Sequence, residues 1–223
     1  MVKITFLGHA AFKIETDKYT FLVDPWIKGN PSSPYKSYKE IEKADFVLVT
    51  HDHADHGFED AAKICKKTKA TFVGVFELAQ LAGKKGCSVL GGNIGGEIQK
   101  GDVKIYFTQA IHSSNIASPC GFIIDTPEIT FYHTGDTSFY SDMEYLSRLY
   151  TIDIMMLPIC SNYMMGITEA VWAVEKVKPK IAIPCHYDAI PALNANPEEF
   201  KVKAGHYCKV EVLKSGEEKV VEF

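Results

Sequence analysis

Apolar and polar residues alternate from the start of the chain, and runs at 2–7, 11–16 and 19–24 each read as strands, the last closing on Asp24-Pro25. The segment Lys28-Gly29-Asn30-Pro31-Ser32-Ser33-Pro34 is dense in turn formers and predicts a surface loop. An unbroken apolar run, Phe46-Val47-Leu48-Val49, marks a buried strand over 45–50, and a helix over 58–67 opens on Glu59 and Asp60. Strand 70–75 passes into a helix over 76–83. Gly91-Gly92 and Gly95-Gly96 mark turns, and strands at 97–100 and 102–111 lead to His112. Strands 120–126 and 129–133 deliver Gly135-Asp136, followed by a helix over 138–149, strand 152–157, helix 167–177 and strand 180–184 before His186. The tail 207–223 reads as two short strands around Ser215-Gly216. The two halves are coarsely alike: antiparallel strands, then strand–helix units. That order favours two packed sheets with outer helices over a doubly wound parallel sheet, within one domain over 1–223.

Composition narrows the partners. A net charge of −4 argues against a nucleic-acid or anionic-membrane coat, and a single arginine, Arg148, among 24 Lys and Arg residues leaves little scope for arginine forks. No apolar run approaches the roughly 18 residues that span a membrane. The start of the chain lacks the basic and cleavage regions of a signal peptide. The six cysteines form no CxxC pair, so a cytoplasmic chain with reduced thiols is expected. A small-molecule substrate fits this balance, and a homo-oligomer is compatible with it.

The chemistry concentrates in His51-Asp52-His53-Ala54-Asp55-His56, directly after the buried strand. If strand geometry persists, His51, His53 and Asp55 project to one side, and His56 reaches the same point from a turn closed by Gly57. Such a cluster is costly to desolvate and self-repelling when protonated, and bound cations remove both problems. Three more candidates, His112, Asp136 and His186, each follow a strand and precede a polar or tight turn.

Gly8-His9-Ala10, Val23-Asp24-Pro25, Thr50 to Gly57, His112-Ser113-Ser114, Gly135-Asp136-Thr137, Leu157-Pro158-Ile159 and Pro184-Cys185-His186-Tyr187 occur in that order. With this set the whole chain resembles the metallo-β-lactamase-fold hydrolases, and within them the metal-dependent hydrolases related to ascorbate-6-phosphate lactonases. The resemblance implies an αββα sandwich of two mixed sheets flanked by helices (an α+β fold), with two divalent metals at one edge. His51, His53 and His112 would hold the first metal, Asp55, His56 and His186 the second, and Asp136 would bridge both. Imidazole and carboxylate suit Zn²⁺, while Mn²⁺, Fe²⁺ and Ni²⁺ are also compatible with these ligand types. Flavodiiron oxidoreductases resemble the same fold but carry Glu at the position of His53 and append a flavin domain; neither sign is present here.

The expected activity is binuclear hydrolysis of a small lactone, ester or phosphodiester by a hydroxide generated from water shared between the cations. Asp55 and His9 are the candidate catalytic residues, Asp55 to orient the attacking water and shuttle its proton, His9 to donate to the oxyanion or leaving group. Asp24 is placed to accept from a ligand histidine. Ser113 is read as lying behind the ligands, Tyr187 as a candidate substrate contact, and Trp26 and Tyr35 as a wall over the pocket. His133 is expected to pack along its strand, His206 to face solvent and Cys185 to enter the core. Cys160-Ser161 stands where the resembling branch carries glycine or aspartate, so substrate identity does not transfer. A nuclease acting on RNA and a non-catalytic metal sensor are the competing readings; the acidic balance counts against the first, the intact Asp55 against the second.

Overall fold

The computed structural model describes residues 1–222. The first sheet is built from β1 (Val2–Phe6), β2 (Phe12–Glu15), β3 (Thr20–Val23), β4 (Phe46–Leu48), β5 (Thr71–Val75) and β6 (Ser88–Gly92), with helices α1 (Phe58–Thr68) and α2 (Phe76–Lys84) between its later strands. The second sheet takes β7 (Glu97–Lys100), β8 (Val103–Gln109), β9 (Cys120–Asp125), β10 (Thr130–His133), β11 (Ile154–Pro158), β12 (Ile181–Cys185) and β13 (Lys209–Val210). Its helices are α3 (Met143–Leu149), α4 (Ile167–Val177) and α5 (Pro197–Ala204). The last strand, β14 (Glu218–Val221), returns to the first sheet beside β1.

Both sheets have seven strands, ordered β14-β1-β2-β3-β4-β5-β6 and β13-β12-β11-β10-β9-β8-β7. Counted from β14 in the first sheet and from β7 in the second, each is antiparallel through three pairings and parallel through the other three, so the coarse likeness of the two halves is a likeness of topology. Helices α1 and α2 pack on the first sheet and α4 and α5 on the second, giving the αββα sandwich. Between the sheets Phe21 of β3 meets Phe131 of β10 edge to face at 5.4 Å. Each such ring contributes about 1.5–3 kcal/mol by leaving water. Strands β4, β5, β9, β10 and β11 carry no exposed residue, which is why they read as continuous apolar runs.

Three elements depart from the expectation. Gly91 and Gly92 lie inside β6, not in a turn. A Cβ on Gly92 would come within 2.3 Å of the Phe107 ring and one on Gly91 within 3.1 Å of Ala79, so close packing is what selects glycine at both. Helix α3 begins only at Met143; residues 138–140 are irregular and 141–142 form a turn. Helix α5 is absent from the sequence reading, although its signal is present: Asn196 accepts from the N–H groups of Glu198 and Glu199, and Pro197 occupies the first turn. Within the tail, β13 and β14 flank Ser215-Gly216 as expected, and Phe223 lies outside the described residues.

The register explains why the polar residues converge. Val23 pairs with Leu48 and Leu48 with Val73 in parallel, while His133 pairs with Met156 and Pro158 with Cys185. The carboxyl ends of these strands therefore share one edge, and Asp24, Thr50, Asp136, Cys160 and His186 all follow them. Two backbone bonds tie the sheets together there, Cys120 N–H to Thr50 O at 3.1 Å and His186 N–H to His9 O at 2.8 Å.

Candidate metal centre

Every histidine except His133 and His206 enters one cluster at this edge. His51, His53 and His112 each offer a ring nitrogen, all within 4.8 Å of one another. A second group of the same tightness joins His9, Asp55, His56 and His186, and a third joins His51, His56 and Asp136. Asp136 stands between the groups: its Oδ2 is 3.2 Å from His56 Nε2, 3.1 Å from His186 Nε2 and 3.7 Å from His112 Nε2.

Local backbone conformation sorts these residues. Strand geometry ends before the motif does, because β4 stops at Leu48 and Ala54–His56 form a 3-10 turn. Asp55 consequently leaves the side shared by His51 and His53 and falls in with His56. The turn closes on Gly57 at φ 71°, where a Cβ would lie 2.4 Å from Trp26 N, so no other residue fits without displacing the 24–26 backbone. His9, Asp24 and His186 also hold left-handed φ values of 60°, 46° and 55°. Non-glycine residues in that region store strain, and such positions gather at functional sites.

A buried hydrogen-bond shell fixes the rings. Asp24, wholly buried, accepts from Thr50 N–H at 2.8 Å, from the Thr50 hydroxyl at 2.7 Å and from His56 Nδ1 at 2.7 Å. Thr50 Oγ1 in turn lies 3.0 Å from His51 Nδ1. With Nδ1 engaged on both rings, Nε2 of His51 and of His56 is the nitrogen turned toward the cluster. His186 directs Nδ1 toward Cys160 Sγ at 3.6 Å, and its buried Nε2 makes no hydrogen bond despite the nearby Asp136. His51 Nε2 and His53 Nδ1 sit 2.9 Å apart. Buried nitrogens aimed at each other and at a carboxylate leave a shared point that a cation satisfies, and imidazole with carboxylate is a donor set for divalent metals.

Charge in the cluster is polarised accordingly. Burial pushes His51 down to about 2 and His9 to about 4. Burial also opposes charge on His186, but Asp136 outweighs it and raises that ring to about 9; Asp136 and Asp24 raise His56 in the same way. Desolvation disfavours the Asp55 anion, yet the His9 hydrogen bond and the neighbouring rings hold its carboxyl well below the usual range.

Some expected roles are placed differently. The His9 side chain has no exposed surface: Nε2 donates to Asp55 Oδ2 at 3.1 Å, the ring lies 3.8 Å from that of His186, and Nδ1 is buried without a partner. It thus reaches Asp55 and does not line the cavity over the cluster. Tyr187 packs half-buried against the core behind the second sheet, away from that cavity. Trp26 meets His9 edge-on at 5.1 Å, whereas Tyr35 packs against the inter-sheet core. His133 donates from Nε2 to Ala10 O at 2.9 Å and accepts at Nδ1 from Gly135 N–H at 3.1 Å, outside the cluster; His206 is exposed and Cys185 is in the core. Asp52, inside the motif, faces away from the rings. Its Oδ1 accepts from the Ser114 hydroxyl and from the N–H groups of Asn115 and Ile116, which anchors the loop carrying His112. That role, like those of Thr50 and Cys160, went unread in the sequence; the only local signal was a second parity within the alternating motif.

The cavity over the cluster has a volume of ≈ 370 Å³. His53, Asp55, His112, Asp136 and His186 line it together with apolar Met164, Ile190 and Leu193, and Ser113 lines it too, beside the ligands and not behind them. Among the described residues no helix is long and apolar enough to cross a membrane.

Comparison with known proteins agrees with this geometry. Residues 3–186 match the beta-lactamase superfamily domain. A UPF0173 metal-dependent hydrolase of Korarchaeum cryptofilum is 44% identical over 220 residues, covering 97% of this chain and 98% of the relative. One from Pyrobaculum islandicum is 45% identical over 224 residues, with the same coverage. Among solved structures, Igni18, a metallo hydrolase from the hyperthermophilic archaeon Ignicoccus hospitalis, superposes with a TM-score of 0.91 at 36% identity, covering 100% of this chain and 99% of its own. Built on that fold and carrying a His/Asp cluster able to hold metal, the chain belongs to the UPF0173 metal-dependent hydrolases of the beta-lactamase superfamily.

Proposed function

We propose that the protein is a binuclear hydrolase of a small lactone, ester or phosphodiester, working in the cytoplasm with two divalent cations, zinc foremost. The observation that carries this reading is the position of Asp136 between two tight groups of donors, His51, His53 and His112 on one side and Asp55, His56 and His186 on the other. A cavity of ≈ 370 Å³ lined in part by apolar residues supports a small substrate. Six free cysteines support a reducing compartment. The sequence resemblance to proteins related to ascorbate-6-phosphate lactonases adds lactones to the substrates to be tried.

When bound, the cations supply Lewis acidity and make water a nucleophile near neutral pH. The chain's own groups do the rest. Asp24 and Thr50 hold the His56 and His51 rings in the tautomer that presents Nε2. Asp55, ionised and facing the cavity, takes the proton of the attacking water and passes it toward the leaving oxygen. His9 acts through Asp55, its Nε2–H setting the orientation of that carboxylate.

Stoichiometry is the direct test. Protein purified without chelator and reloaded with Zn²⁺ or Mn²⁺ should approach two metals per chain by elemental analysis. A plateau at one contradicts a second site and the roles given to His56 and His186. Turnover by the loaded protein on lactone, phosphodiester and RNA substrates then separates a small-molecule hydrolase from a nuclease and from a sensor that turns over nothing.

His9 has its own signature. His9→Ala should lower turnover about 10–100-fold with metal content retained, the size seen when a group orienting a metal ligand is lost. His9→Gln, which keeps a donor, should recover part of the loss. In an Asp55→Asn background His9→Ala should add little, since both changes break the same contact. Additive losses would show that His9 acts on something other than Asp55.

A further inference from the structure

Beside the metal centre, on the other side of His53, lies a second and larger cleft. Its volume is ≈ 650 Å³ against ≈ 370 Å³ over the cluster, and His53 lines both. Trp26, Phe58, Leu78, Leu81 and Ile116 make its surface mainly apolar. Ile116 is 57% exposed, although the Asp52 bond to its N–H holds it in place.

The charges around this cleft are unequally occupied. Asp60 Oδ2 is taken up by the N–H groups of Ile27 and Lys28 at 3.0 and 2.7 Å. Asp52 is taken up by the 114–116 loop. Glu59 pairs with Lys85 at 2.9 Å. Lys28 and Lys63 remain, both exposed and lining the cleft without an acidic partner among the described residues; Lys63 has only the Tyr38 ring, 5.6 Å from its Nζ. The lining carries three lysines and three carboxylates; with Asp52 and Asp60 held by neutral donors and Glu59 by Lys85, an apolar trough in which Lys28 and Lys63 stand outside any ion pair among the described residues fits an amphipathic anion.

We propose that this cleft holds the non-reacting part of the substrate: an apolar body ending in a carboxylate or phosphate that Lys28 and Lys63 bind, with the scissile bond past His53 over the metal centre. The position of the scissile bond rests on the hydrolytic reading above; binding of an amphipathic anion in the cleft does not. The substrate class is thereby narrowed to esters or lactones, or phosphodiesters, with an anionic group remote from the bond cleaved.

The test is titration calorimetry on the zinc-loaded full chain with octanoate, octylphosphonate and 1-octanol, alongside acetate and methylphosphonate. Both octyl anions should bind about tenfold or more tightly than 1-octanol, an advantage that falls with added salt. In Lys28→Met/Lys63→Met the advantage should vanish while metal content stays unchanged. Leu81→Asp should weaken all three octyl ligands. The stronger of octanoate and octylphosphonate tells which anionic group the lysines favour. Equal binding of the octyl anions to the parent and the double variant overturns the proposal. So does binding of acetate or methylphosphonate as tight as that of their octyl counterparts, because the metal centre would then be holding the anion. A failed hydrolytic reading shows differently, as one metal per chain or absent turnover with the lysine-dependent binding intact.

Discussion

Asp55→Asn is expected to cut turnover by about 10²–10⁴-fold, the usual worth of a positioned proton-transfer group, on whichever ester, lactone or phosphodiester the loaded protein accepts. Asparagine keeps the shape and one oxygen but cannot take a proton from water. It also exchanges the ionised acceptor of the 3.1 Å His9 contact for a neutral amide. Metal content should fall by one equivalent at most, and KM should change less than kcat, since the lost interaction belongs to the transition state. Parallel kinetics and elemental analysis read both quantities. Near-normal turnover with two metals bound would remove Asp55 from the chemistry.

Asp136→Ala should have the largest effect on metal binding. Its Oδ2 lies within 3.2 Å of both His56 Nε2 and His186 Nε2, and it also faces His112. Removing a partner that only orients a ligand costs about 10–100-fold in metal affinity, so losing the group between both sites should exceed that and leave less than one metal per chain. The metal-free protein should suffer as well. Asp136 sustains the charge on two buried rings, and stripping one partner from a buried pair costs about 3–5 kcal/mol. Chelator competition and denaturant unfolding of the metal-free variant measure the two effects separately. Retention of two tightly held metals would show that Asp136 does not join the sites.

The difference between these variants reflects how each residue reached its place. Asp136 follows β10 through Gly135, which holds a φ of 63° and where a Cβ would lie 2.5 Å from Cys120 O, so that glycine alone fits. Asp55 arrives through a 3-10 turn that the alternation of His51, His53 and Asp55 does not announce. A period-2 pattern presumes extended backbone, and the backbone here bends for a reason lying elsewhere: Gly57 packs against Pro25 and Trp26 of another loop. For the same reason Asp52, a metal-type residue by chemistry, serves as the anchor of the 114–116 loop.

Local signals alone determined most of the architecture. Continuous apolar runs marked the central strands because those strands are covered on both faces, and the repeated order of antiparallel then parallel elements foretold two like sheets. The identity of the polar residues at strand ends made metal chemistry legible, since no simpler explanation accounts for so many imidazoles beside apolar strands. The sequence pointed to Asp24 as an acceptor for a ligand histidine, but tertiary structure decided that the histidine is His56, and it decided the other partnerships: Thr50 with His51, His9 with Asp55, Cys160 with His186, and a lysine-bearing cleft sharing His53 with the metal centre. The longest of these links, His9 to Asp55, spans 46 positions, and no spacing rule reaches from the loop after one strand to the loop after another. Their distances are set by strand register and by how the sandwich closes, which are properties of packing in three dimensions.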